Sequence, residues 1–312
     1  MTAAPAAGGA QILLATIGAG AASIDRQTSR RVAAIAGRQC ELLAAALAAR
    51  GLAAEVVAWD APVDWSQAEL VVVCSPWDYV ERHEEFLAWV RATAAATTLV
   101  NDPNLIAWNL YKGYLVELGA AGVPVVPTSL LARGTAAAGR EAALAAHGDE
   151  VVIKPAISAG ARGTLRAAAA SEQAAAHLAV LLVEGDALIQ PYLPDVEAGE
   201  VSLMCFGGVL SHAVRKRPAD GDFRVQEEHG GTLEPHVATA AERGVADAVL
   251  QALPAAACYA RIDLVTTAAG PLLMEAELIE PELFLALDPG AAGRYADVLA
   301  EQLRGRAASR SG

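Results

Sequence analysis

Two short apolar runs, Tyr259-Ala-Arg-Ile-Asp-Leu-Val265 and Leu272-Leu-Met-Glu-Ala-Glu-Leu278, carry three carboxylates and one guanidinium between them. Thr266 to Pro271 is rich in turn residues, so the runs predict an antiparallel hairpin. Side chains alternate along a strand, which puts Arg261 and Asp263 on one face, and Glu275 and Glu277 likewise. With Asp263 opposite Glu275, Arg261 falls opposite Glu277, and Ile262, Leu264, Met274 and Ala276 fill the other face. Carboxylates this close raise one another's pKa unless a cation neutralises them. Oxygen ligands from two neighbouring strands suit Mg²⁺, which also keeps waters and phosphate oxygens in its shell. A solvated hairpin face is the alternative, weakened because Leu278-Ile279 follows at once and Arg261 is the only basic member.

Two further stretches suit phosphate chemistry. In Val151-Val-Ile-Lys-Pro-Ala-Ile-Ser-Ala-Gly-Ala-Arg-Gly-Thr164 an apolar strand ends in Lys154, and a loop follows with Ser158, Gly160, Gly163 and Thr164. Glycines let backbone N–H groups approach phosphate oxygens closely. The GxxxxGK[ST] phosphate loop is absent from the chain. In His212 to Thr232, four cations (Arg215, Lys216, Arg217, Arg224) gather where phosphate contact would explain them, and a solvated rim is the alternative. His229, before Gly230-Gly231, reads as a loop donor to substrate, because neither a GxSxG motif nor another nucleophile signature accompanies it. The chain has three lysines against 20 arginines, and the three are Lys112, Lys154 and Lys216. A lysine kept against that bias marks a place where a compact ammonium is wanted.

The elements that must position these groups are legible in outline. Residues 12–17, 54–59 and 70–74 read as strands, and Arg31 to Ala49 reads as a helix stopped by Gly51. Gly18-Ala19-Gly20 is read as a tight strand-to-helix turn rather than a dinucleotide fingerprint, since Ser23 replaces the third glycine. Asn101-Asp102-Pro103 predicts a turn and then one helix from Leu105 to Gly119. Strands at 151–154 and 187–190 alternate with helices at 138–147 and 171–184. Val201–Phe206, Val209–Val214 and the hairpin complete an antiparallel group.

The chain has 312 residues and a net charge of −13, with 54% hydrophobic and 19% charged residues. That balance supports a buried core and disfavours binding to nucleic-acid phosphates or to an anionic membrane face. No apolar run reaches the roughly 18 residues of a membrane span, and no basic segment precedes Ile12-Leu13-Leu14 as in a secretory signal. Cys40, Cys74, Cys205 and Cys258 stand far apart in apolar contexts, which suits buried thiols in a reducing cytoplasm.

Together these motifs resemble the ATP-grasp superfamily, in the branch of glutathione synthetase and D-alanine–D-alanine ligase, over residues 100–302. The resemblance implies an α/β ATP-grasp fold, two α+β lobes gripping ATP, preceded by a small parallel α/β domain. It implies a substrate domain over 1–100, a linking helix over 101–123, a small lobe over 124–190, a large lobe with the metal site over 191–302, and a tail over 303–312. By matching motifs, Lys112 and Lys154 resemble the nucleotide lysines and Ser158 to Thr164 the lid loop over the phosphates. Gln190-Pro191-Tyr192-Leu193 resembles the adenine hinge, although the hinge usually begins with Glu. Glu200 resembles the ribose acid, with Glu197 as its competitor. Lys216 resembles the phosphate-binding cation and Arg261 the arginine that stabilises acyl-phosphate chemistry, with Arg224 of the basic cluster a further catalytic candidate. Asp263, Glu275 and Glu277 resemble the ligands of Mg²⁺, two ions in all, although the last position is commonly Asn.

The first hundred residues are similar to the amino-terminal domain of a narrower ATP-grasp group, through Asp64-Trp65, Ser75-Pro-Trp-Asp-Tyr79, Phe86-x-x-Trp89 and Trp108-Asn109. That group includes the cyclo-ligase that closes O-ureido-D-serine to cycloserine. The implied activity is an ADP-forming carbon–nitrogen ligase acting through an acyl phosphate on a small amino-acid-like substrate. An intermolecular ligase, a small-molecule kinase and an idle ATP-binding partner are the alternatives. Trp77, Asp78 and Tyr79 are the expected substrate contacts, with Asp78 on a substrate ammonium, and plain packing is the alternative for Trp77 and Tyr79. A homodimer is left open.

Overall fold

The computed structural model describes residues 11–18, 26–219, 224–225 and 230–310. The expected turn at Ala19-Gly20 and the candidate His229 lie outside the described residues. The first sheet has four parallel strands, β1 (Ile12–Thr16), β2 (Ala54–Ala58), β3 (Leu70–Ser75) and β4 (Thr98–Val100), in the order β2-β1-β3-β4. β3 is buried along its whole length, as a parallel strand covered on both faces must be. Helices α1 (Arg26–Ala48) and α2 (His83–Ala96) accompany it.

The single linking helix expected from Leu105 to Gly119 is instead two short helices, α3 (Pro103–Leu110) and α4 (Tyr114–Ala120). Asp102 caps α3 and Pro103 opens it, as a first-turn proline can. The break has a partner: the Lys112 N–H, which a continuous helix would use internally, donates to the Ala156 carbonyl at 2.8 Å. Gly113 lies so close to the Tyr111 ring that a Cβ there would come within 2.4 Å of it.

The second sheet is antiparallel, from β5 (Ser129–Leu131), β6 (Glu150–Pro155), β7 (Leu165–Ala168) and β8 (Ala187–Pro191), in the order β5-β8-β6-β7. Helices α5 (Ala137–Ala145) and α6 (Glu172–Glu184) close a core drawn from this lobe alone, including Ile153, Leu178 and Ile189. The third sheet is also antiparallel: β9 (Glu200–Phe206), β10 (Val209–Arg217), β11 (Thr232–His236), β12 (Tyr259–Thr267) and β13 (Gly270–Glu277), ordered β11-β10-β9-β12-β13. Helix α7 (Ala240–Ala252) starts at a capping box between Thr239 and Glu242, and α8 (Ala291–Arg310) ends the fold. Among the described residues no helix is long and apolar enough to cross a membrane. All four cysteines are buried and unbridged.

The first and third sheets share one core, in which Leu14 and Leu43 join Phe206, Tyr259 and Tyr295. Asn101, 2% exposed, locks that joint. Its amide donates to the Tyr259 and Leu278 carbonyls at 3.0 and 2.9 Å, and its oxygen accepts from the Cys258 N–H at 2.6 Å. An Asn101→Leu variant strands these backbone groups in the interior, and should lose roughly 2–4 kcal/mol of stability, read from its denaturant midpoint.

Candidate active site

The hairpin register is the expected one where the chemistry lies: Arg261 pairs with Glu277 and Asp263 with Glu275. A bulge then shifts the ladder after Asp263, so Leu264 faces Leu273 rather than Met274. Met274, expected on the apolar face, therefore lines the same cavity as Glu275 and Glu277. This cavity, about 560 Å³, opens where the three sheets meet.

Asp263 is at its floor. It accepts from Ser202 Oγ at 2.5 Å, from Arg261 Nη2 at 3.0 Å and from Lys216 Nζ at 3.2 Å. Burial works against the charge, but Arg261 and Lys216 outweigh it and hold this carboxyl below the usual range. Lys216 also pairs with Glu200, its cross-strand neighbour, and Arg261 with Glu277. Lys112, released from helical geometry by the break between α3 and α4, pairs with Glu275. Glu277 is pushed up to about 7, by burial first and then by Glu275 and Asp263, against the pull of Arg261. Glu275 and Glu277 keep side-chain exposures of 30% and 26%, which they spend on the cavity.

Strand alternation sorts the basic cluster. Lys216 faces the cavity, whereas Arg215 and Arg217 point the other way and pair with Glu234 at 3.9 and 3.0 Å. The expected four-cation phosphate patch is thus reduced to Lys216 and Arg224 on the cavity wall. Gly230 and Gly231 do not line it; they precede the edge strand β11, and Gly230 is exposed.

Lys154 ends β6 with no carboxylate in ion-pair reach among the described residues, and burial, aided by Lys112, lowers its pKa to about 8. The loop after it lines the cavity at Ser158, Gly160 and Thr164, turning through left-handed backbone at Gly160, Ala161 and Gly163. Its Arg162 reaches across the cavity mouth to pair with Glu81. On the hinge side, Gln190 donates to Thr128 Oγ1 at 2.9 Å and Tyr192 to Glu197 at 3.0 Å. Pro191 and Leu193 line the cavity with them, as does Glu200, whereas Glu197 does not.

From the first domain, Trp77, Asp78 and Tyr79 all face the cavity. Asp78, expected to meet a substrate ammonium, is already saturated: Oδ1 accepts from the Gly18 N–H and from Trp59 Nε1, both at 3.0 Å, and Oδ2 faces Arg82 at 3.4 Å. Trp77 donates to the Glu280 carbonyl at 2.7 Å. Tyr79 packs on Phe86, 4.8 Å between ring centres, and burial and the Glu280 carboxyl raise its pKa well above the usual value. Glu280 escaped the sequence reading. The signal it offers is a charge between Leu278-Ile279 and Pro281, two residues before Glu282.

Two lobes around a cavity of paired cations and carboxylates define a nucleotide-dependent ligase site, and the chain belongs to the ATP-grasp ligases. The prokaryotic glutathione synthetase ATP-grasp domain matches residues 124–281, and the amino-terminal domain of D-cycloserine synthetase DcsG matches residues 25–101. The cycloserine biosynthesis protein DcsG of Streptomyces lavendulae is 39% identical over 274 residues, covering 81% of this chain and 90% of that protein. The crystal structure of D-cycloserine synthetase DcsG superposes with a TM-score of 0.80 at 34% identity, covering 94% of this chain and 99% of that one. D-alanine–D-alanine ligase from Bacillus anthracis shares the fold, with a TM-score of 0.68 at 15% identity over 97% of this chain and all of that one. The protein is an enzyme of ATP-dependent carbon–nitrogen ligation, and ATP-grasp ligases as a class use ATP and Mg²⁺.

The pKa of Lys154 gives a pH prediction. As pH rises through about 8 the free enzyme loses this charge, and if Lys154 contacts ATP phosphates, ATP affinity falls by up to about tenfold per pH unit above 8. Lys154→Arg, charged throughout, should flatten the profile in a calorimetric titration from pH 7 to 9.

Proposed function

We propose that the enzyme activates the carboxylate of a small serine-derived amino acid as an acyl phosphate and closes it into a ring, as for O-ureido-D-serine and cycloserine. The observation that carries this reading is the charge network of Lys112, Lys216, Arg261, Asp263, Glu275 and Glu277 on one cavity wall. The amino-terminal domain's likeness to that of DcsG supports the ring-closing form.

In this reading residues 1–100 hold the substrate, 124–190 and 191–302 grip the nucleotide, and the two helices at 103–120 join them. Lys112 and Lys154 hold phosphate oxygens, the Ser158–Thr164 loop covers them, and Gln190 to Leu193 line the base. Glu200 takes the ribose; it faces the cavity, and Glu197 is spent on Tyr192. Among the described residues no three carboxylate, histidine or cysteine side chains already converge on one ion. The donor set nonetheless fits Mg²⁺, since Asp263, Glu275 and Glu277 offer hard oxygens from two adjacent strands. Mg²⁺ held there, as two ions, would supply charge neutralisation to the phosphates.

The substrate carboxylate attacks the γ-phosphorus and displaces ADP. The ureido nitrogen on the side-chain oxygen then attacks the acyl carbon, loses its proton and expels phosphate, and hydrolysis of the carbamoyl group left on that nitrogen, as CO₂ and ammonia, completes the path to cycloserine. Lys216 and Arg224 offset charge on the transferring phosphoryl group, and Arg261 the oxyanion that develops. Closure of the loop over the cavity excludes water from the acyl phosphate. Intramolecular attack suits so reactive a species, because tethering supplies effective molarities on the order of 10⁵ M or more.

Purified enzyme with O-ureido-D-serine and ATP should release ADP and phosphate and yield a cyclic product by mass spectrometry without a second amine. A strict need for a second amine would make it an intermolecular ligase, and ADP without free phosphate a kinase. Glu275→Gln with Glu277→Gln should abolish turnover and raise the Mg²⁺ requirement. An unchanged Mg²⁺ titration would remove these residues from the metal site.

A further inference from the structure

We infer that Glu280, buttressed by Tyr79, is the residue that selects a substrate with a free α-ammonium group; this rests on the ligase reading above. Several carboxylates line the cavity, and most have their charge already offset. Asp263, Glu275, Glu277 and Glu200 each face a lysine or arginine. Asp78 is filled by the Gly18 N–H, the Trp59 indole and Arg82.

Glu280 differs from these. It lines the cavity, its residue is only 8% exposed, and no cationic side chain stands within ion-pair distance of it among the described residues. The polar side chain that acts on its carboxyl is the neutral Tyr79 hydroxyl, which favours the charged form. A buried carboxylate with one neutral donor is costly as an anion until a cation arrives, so the site is built to gain from a ligand that brings one. The surrounding contacts fix its position rather than compete for its charge. Trp77 holds the Glu280 backbone oxygen at 2.7 Å, and one residue on, the Pro281 carbonyl accepts from Gln39 at 3.1 Å.

The geometry also gives an orientation. Arg261, which donates to the Glu282 carbonyl at 3.3 Å, lies on the adjoining wall. An α-amino acid set between them directs its ammonium to Glu280 and its carboxylate toward Arg261 and the phosphates. An acid without the amine, or with it acylated, leaves Glu280 uncompensated.

Binding is measured by calorimetry with a non-hydrolysable ATP analogue and Mg²⁺, using O-ureido-D-serine and its N-acetyl derivative. The wild-type enzyme should bind the acetylated compound roughly 10–100-fold more weakly. Glu280→Gln should weaken the free amine by a similar factor while the analogue's affinity stays within about twofold. The acetyl comparison uses the wild-type chain alone, so the test survives if the variant does not fold. Equal affinity for both compounds, no binding of the free amine, or a Glu280→Gln effect confined to the Mg²⁺ titration overturns the assignment. ADP release is assayed in parallel with 3-(ureidooxy)propionate, which lacks the amine. Turnover of that acid at the amino acid's rate overturns ammonium selection and leaves the ligase intact. Amine-selective binding without any ADP release supports ammonium selection and removes the ligase reading.

Discussion

Arg261 and Lys216 converge on Asp263 in the interior of the third sheet, and much of the molecule serves to keep that convergence in place. A carboxylate buried on a strand is tolerable only with its charge offset and its lone pairs filled, which Ser202, Lys216 and Arg261 accomplish from three neighbouring strands. Each cation then has charge left for a second acid, Glu200 or Glu277. The result is a wall of charge in which no member can be removed without stranding another. The protein thus keeps these buried charges paired among its own side chains.

How these groups reach one point explains what the sequence discloses. Two-residue alternation carries the hairpin, so the pairing of Arg261 with Glu277 and Asp263 with Glu275 was legible. The bulge after Asp263 has no such signature, and with it went the side to which Met274 points. Alternation applied to Arg215-Lys216-Arg217 would have separated the lysine from its neighbours, a use of the same rule that the composition of the cluster obscured. The break at Lys112 was invisible because the bond that replaces helical geometry comes from Ala156, 44 residues later in the chain. Asp78 likewise gave no sign that Gly18 and Trp59 would fill it, since those contacts form only when the first sheet assembles.

The apolar patterns behaved differently. Strands β1 and β3 lie where apolar runs placed them, because burial on both faces leaves a signal in composition alone. The short strands β4, β5 and β7, three or four residues each, carry no such run and come from pairing with longer neighbours.

The distribution of apolar cores gives the molecule a mechanical division that differs from its order along the chain. The first sheet is welded to the third through α1, α8 and the Asn101 joint, although some hundred residues separate them in sequence. The second sheet has an interior of its own, but its Ala156 and Leu188 also enter the core of the linking helices and the third sheet, and the Arg162–Glu81 pair ties its loop to the first domain at the cavity rim. That pair is exposed and therefore weak, a latch that holds without resisting release. The two ends of the chain thus form an anvil, and its middle a second body seated on it through the linking helices. The middle carries the glycine loop of residues 158–164, and the anvil carries the acids on the facing wall of the cavity.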